Sequence, residues 1–117
     1  MNVTYGELYT ALPALRELSR QPMAIGVALR VDRILARVES EMEIFRKRYV
    51  EILEKYGSEV EPGNYSVEDA NKEAFDKDLA EMQAESITLD VPGVPEKDLG
   101  GVEISPAAAR TISWMLT

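Results

Sequence analysis

The feature that most constrains this chain is an apolar stripe running from residue 28 to residue 56. Ala28, Val31, Leu35, Val38, Met42, Phe45, Tyr49, Ile52 and Tyr56 recur at alternating spacings of three and four without a miss. That is the a and d pattern of four heptads, and it predicts one long helix with a continuous apolar seam. Ile34 and Leu53 widen the seam. Pro22 suits a first helical position, and Gly57 follows the last periodic residue as a natural C-cap. A helix of about 35 residues is about 50 Å long, more than a domain of this size usually buries. It must therefore pair with another helix of the chain or with another chain.

The flanks supply candidates for that pairing. Thr4 reads as a helix N-cap with Glu7 completing a capping box, and Leu8, Leu12, Leu15 and Leu18 mark one face of a short first helix. Pro13 predicts a kink or a restart within it. Residues 58–65 are polar and turn-rich and read as the loop of a helical hairpin. Ser66, with Asp69 in the capping-box place, predicts the start of a third helix. Its apolar stripe is Val67, Ala70, Ala74, Phe75, Leu79 and Met82. The period changes at Ser86: Ile87, Leu89 and Val91 alternate as a short strand, and Val102 and Ile104 offer a partner for it. Ser105-Pro106 opens a short closing helix through Ala108, Ile112, Met115 and Leu116, with Trp114 nearby. The expected architecture is mainly α (α+β): a long helical hairpin, a short N-terminal helix, a small two-stranded β element and a short C-terminal helix. All of it reads as a single domain over 1–117, with the N-terminal helix in 1–21, the hairpin in 22–85 and the β element and C-terminal helix in 86–117.

Composition narrows the chemistry. The chain holds no Cys and no His, so disulfides, thiolate nucleophiles, the commonest general base and the commonest metal ligand are all missing. A zinc site built from carboxylates would be unusual, and neither a metal nor a cofactor is expected. No apolar run approaches the roughly 20 residues of a membrane helix, and residues 1–21 lack the pattern of a signal peptide. The cytoplasm is the expected location, with no membrane partner.

The formal net charge of −8 is unevenly spread. Residues 22–57 carry seven Lys or Arg against six Asp or Glu, whereas residues 58–100 carry three against twelve. This predicts that Arg30, Arg33, Arg37, Arg46, Lys47 and Arg48 of the long helix find partners among the acids of the third helix. Arg46-Lys47-Arg48 reads as a solvated helix face, and direct nucleic-acid binding is not expected in so acidic a chain. The acids of 68–85 read as a solvated helix face, with display as a mimic of nucleic acid as the alternative. Asp76 with Asp78, and Glu39 with Glu43, are paired carboxylates with no nucleophile motif or phosphate loop beside them, so no catalytic residue is assigned.

The order of parts resembles a group of small uncharacterised proteins encoded by tailed bacteriophages and prophages. The resemblance rests on the Leu8, Leu12, Leu15 helix and the long charged helix ending Glu54-Lys55-Tyr56-Gly57. It continues through the acidic helix running into Ile87-Thr88-Leu89, and the close Val102-Glu103-Ile104-Ser105-Pro106. It implies a phage origin and work in an infected bacterial cytoplasm, and it carries over no catalytic residue.

The expected function is that of a non-enzymatic phage accessory protein that binds a host or phage protein, blocking a host defence or replication protein. The expected contact residues are Met42, Phe45, Tyr49 and Tyr56, with Asp76, Asp78 and Glu81 as a polar rim. The alternatives are a homo-oligomeric virion component or assembly chaperone, held together through the same stripe, and a binder that sequesters a nucleotide signal.

Overall fold

A computed structural model describes residues 1–117. Strand β1 (Asn2–Thr4) leads into helix α1 (Tyr5–Ser19), followed by α2 (Ile25–Tyr56), β2 (Gly57–Glu61), β3 (Asn64–Val67), α3 (Asp69–Ala84) and β4 (Ser86–Thr88). A 3-10 turn at Glu96–Leu99, helix α4 (Pro106–Thr111) and a second 3-10 turn at Ser113–Met115 complete the chain. The molecule is elongated, 51 × 27 × 24 Å. It is mainly α with some β, as the periodicity predicts.

Helix α1 starts as predicted. The Thr4 side chain accepts the Glu7 amide, and Glu7 returns a bond to the Thr4 amide. Pro13 does not restart the helix, which runs unbroken from Tyr5 to Ser19. It sits on the exposed face, and the carbonyl its missing N–H would have engaged belongs to Tyr9, itself 62% exposed, where water can reach it. Leu8, Leu15 and Leu18 are buried with Ala11 and Ala14.

Helix α2 begins at Ile25, not at Pro22. The connection before it is held elsewhere: the Gln21 side chain accepts from the Glu103 amide at 3.0 Å and donates to the Glu103 carbonyl. Gly57 ends α2 in an extended conformation, φ −121°, rather than as a left-handed cap. What Gly57 supplies is room. A Cβ there would lie 2.8 Å from the Ser66 carbonyl oxygen and 2.9 Å from that of Leu53.

Three further expectations are corrected. The predicted loop at 58–65 is a β-hairpin, β2 with β3, turning through Pro62 and Gly63; Gly63 takes φ 82°, open to glycine without a Cβ clash. Ser66 is therefore a strand residue opposite Ser58 and does not cap α3, which starts at Asp69 behind Glu68. The strand at 86–88 pairs not with 102–104 but with the N-terminus, Val3 opposite Ile87, because residues 2–4 supply an extended, β-branched edge next to it. Residues Val102 and Ile104 instead pack as coil on the core, while Val94 bridges to Leu116. Ser105 does cap α4, accepting the Ala108 amide.

The core is one cluster at one end. Its buried members come from β1 and α1, from Val31, Ile34, Leu35 and Val38 of α2, and from Leu89, Val94, Ile112 and Met115. From residue 46 to residue 88 no residue is buried. The chain thus consists of a packed body and an arm: the C-terminal half of α2, the β-hairpin, and α3 folded back antiparallel as a helical hairpin. Helix α3 has 16 residues and α2 has 32, so α3 can cover only half of its partner. Helix α1 covers the other half.

Candidate functional site

Where body meets arm, α2 carries a buried acid. Glu41 is 7% exposed and lies in the row Ile34, Val38, Glu41, Phe45 that faces α1. Its carboxylate is fully engaged. The Tyr5 hydroxyl donates to one oxygen at 2.9 Å, and Arg37 Nη1 lies 2.6 Å from the other. Arg37 in turn reaches Asp90 at 3.6 Å. Burial, then the bond to Glu41, holds the Tyr5 phenol above its ordinary pKa. This chain of contacts fixes the Tyr5 ring against Phe45, with centroids 5.7 Å apart.

Phe45 divides two surface grooves. Tyr5 flanks it on one side and Tyr9 on the other, the Tyr9 centroid being 6.3 Å away. The first groove, about 630 Å³, lies between α2 and α3, with Tyr5, Ile44, Phe45, Ile52 and Met82 as its apolar lining. Arg48, Glu51, Asp78, Glu81 and Glu85 form its rim. The second, about 590 Å³, lies between α1 and α2, lined by Tyr9, Leu12, Ala36, Met42, Phe45 and Tyr49. Its charged rim is balanced: Arg16 and Arg46 against Glu39 and Glu43. Tyr49 also packs edge-on against Phe75, 6.3 Å between centroids, and shares a small recess with Leu79.

The far end of the arm is held by Asp78. The Tyr56 hydroxyl donates to Asp78 Oδ2 at 2.7 Å, and Lys55 Nζ lies 3.5 Å from the same oxygen. The Tyr56 bond, helped by Lys55, pulls the Asp78 carboxyl below its ordinary range, against the opposing effect of desolvation. The Lys55 ammonium, 4.9 Å from the Tyr56 ring centroid, is held above its ordinary value by Tyr56 and then by Asp78.

The residues singled out by sequence are split by this geometry. Met42, Phe45 and Tyr49 line the second groove; Phe45, Asp78 and Glu81 line the first. Tyr56 serves the clasp with Asp78, and Asp76 is exposed outside both grooves. The predicted pairing of α2 cations with α3 acids does not form. Arg30 pairs with Asp98, Arg37 with Glu41 and Asp90, Arg46 with Glu43 and Arg48 with Glu51, while Arg33 and Lys47 make no ion pair. The reason is reach: 30, 33 and 37 lie on the body half of α2, beyond α3, and Arg46 and Arg48 find acids three residues away on their own helix. Only Lys55 crosses to α3. Glu41, Ile44 and Glu85 were not singled out. A signal for Glu41 was present, since it sits seven residues after Ile34 and four before Phe45. No group of three or more acids is arranged to hold a metal ion, and no helix is long and apolar enough to cross a membrane.

No family model, no curated protein and no solved structure matches this chain.

Proposed function

We propose that the chain is a non-enzymatic protein-binding module that uses the arm and its junction with the body as the contact surface. One observation carries this reading. From residue 46 to residue 88 the chain builds a helical hairpin with no buried residue. Ile44 is 48% exposed, and Tyr49, Ile52, Phe75, Leu79 and Met82 are half-buried at best. A continuous half-covered apolar strip on two helices favours a partner. Phe45 is the pivot of the surface, held by Tyr5, Tyr9 and the Glu41 network, so both grooves are pre-formed around it. A pre-formed surface lowers the ordering cost of association. The layout resemblance adds the setting, a phage accessory protein acting on a host or phage partner, and rests on the order of elements alone.

The test is affinity capture from a bacterial lysate with the wild-type chain and with the double variant Tyr49→Ser, Ile52→Ser. Circular dichroism should report the same helicity for both. A captured protein that the variant loses supports the reading. Capture that survives the double change places binding elsewhere. A stable oligomer that the variant dissociates would move the reading to the self-assembling virion component or assembly chaperone.

A further inference from the structure

The two grooves beside Phe45 differ in charge, and the difference names a partner. Around the α1–α2 groove the two cations match the two acids. Around the α2–α3 groove stand four carboxylates and one cation, Arg48, and that cation is already 3.0 Å from Glu51. Asp78 is engaged by Tyr56 and Lys55. Glu81 and Glu85 make no ion pair and border the apolar floor at Met82.

We propose that the α2–α3 groove receives a basic amphipathic helix of a partner protein. Its apolar side chains would rest on Ile44, Ile52 and Met82, and its Lys or Arg side chains would meet Glu81 and Glu85. The proposal rests on the reading of the arm as a protein-binding surface and specifies the chemistry of what binds. Both walls of the groove are helices whose backbone groups are paired internally, so an extended chain would find no ladder to join, whereas a helix can lay one face between them. Ile44 to Ile52 spans about 12 Å along α2, two turns of a bound helix. A second copy of the arm fits poorly. Residues 46–85 carry six Lys or Arg against eleven Asp or Glu, so a second arm would bring like charge to like.

The experiment uses three synthetic amphipathic peptides of about 14 residues, long enough to become helical on binding. They share one leucine face and carry Lys, Gln or Glu on the other. Each is titrated into the full chain labelled at its methyl groups. The Lys peptide is expected to shift the methyls of Ile44, Ile52 and Met82 while Leu15 and Val38 stay in place. It should bind at least about tenfold tighter than the Gln peptide, with the Glu peptide weakest and the Lys preference falling as salt rises. The variant Glu81→Gln, Glu85→Gln should lose the preference. Glu59→Gln, Glu61→Gln, the same charge change on the β-hairpin, should keep it. Equal losses in the two variants would overturn the proposal in favour of diffuse charge attraction. Equal binding of all three peptides at these methyls would overturn the choice of partner while leaving the protein-binding reading standing. No shift with any peptide would remove the groove and weaken that reading with it. A chain that dimerises without peptide and protects these methyls would overturn the proposal in favour of a second copy.

Discussion

The two halves of α2 share one heptad pattern and end in different surroundings. In the first half Val31, Ile34, Leu35 and Val38 are sealed between α1 and the C-terminal segment. In the second half Tyr49, Ile52 and Tyr56 continue the same spacing under α3, with Tyr9 of α1 beside Tyr49 and the β2–β3 hairpin at the far end, and none is buried. Periodicity fixes which face of a helix is apolar; the number of elements packed on that face decides whether it is core. A face met by several elements stabilises the fold. A face covered this thinly is left to bind something else.

The largest expected effects set body against arm directly. Leu15 is fully buried, so Leu15→Ala should destabilise the chain by about 2–5 kcal/mol in denaturant unfolding. Leu79 occupies the equivalent role on α3 but is only half-buried, so Leu79→Ala should cost no more than about 1 kcal/mol. Equal losses would erase the distinction. Native-state hydrogen exchange should give the same ranking, with the amides of α3 and of residues 46–56 opening well before those of α1 and residues 31–38.

A smaller effect sharpens the boundary between the two regions. Tyr5→Phe removes one donor from buried Glu41 while Arg37 remains in place, and should cost about 0.5–1.5 kcal/mol. It should also shift the Phe45 ring signals, because the Tyr5 ring loses its anchor.

The smallest effect lies at the tip of the arm. Asp78 has a depressed folded pKa, so its contribution is present above the ordinary carboxylate value and is lost as pH falls through the lower folded value. Tyr56 ring signals should therefore change only in acid, and Tyr56→Phe should raise the Asp78 midpoint toward its ordinary value. An unmoved midpoint would show that the Tyr56 bond does not hold Asp78.

Much of the helical frame was legible in the sequence, because capping at Thr4 and Ser105 and the stripe from Ala28 onward are local or periodic signals. The strand at Ile87 was legible too, but its partner and the β2–β3 hairpin were not. The β1–β4 pair joins residues 84 positions apart, Val3 with Ile87, and short-range alternation cannot announce such a partner. The hairpin at 57–67 was hidden by Glu59, Glu61 and Ser66, residues that read as loop and helix cap when taken alone. The site was legible in part. Phe45 and Tyr49 follow from the stripe, but an α-helix drifts about 20° per heptad against a strict seven-residue repeat, which turns Ile34 and Glu41 toward the core. The charge split holds at the scale of whole segments but does not set the contacts, since Arg46 and Arg48 pair with acids on α2 itself rather than reaching α3.

The central claim, that the arm's apolar face stays open for a different protein, is tested most directly by light scattering of the purified chain across a wide range of concentration. A monomer of 13.1 kDa throughout is the predicted result. A dimer or larger ring that persists on dilution would contradict it, because the face would then be covered by copies of the same chain.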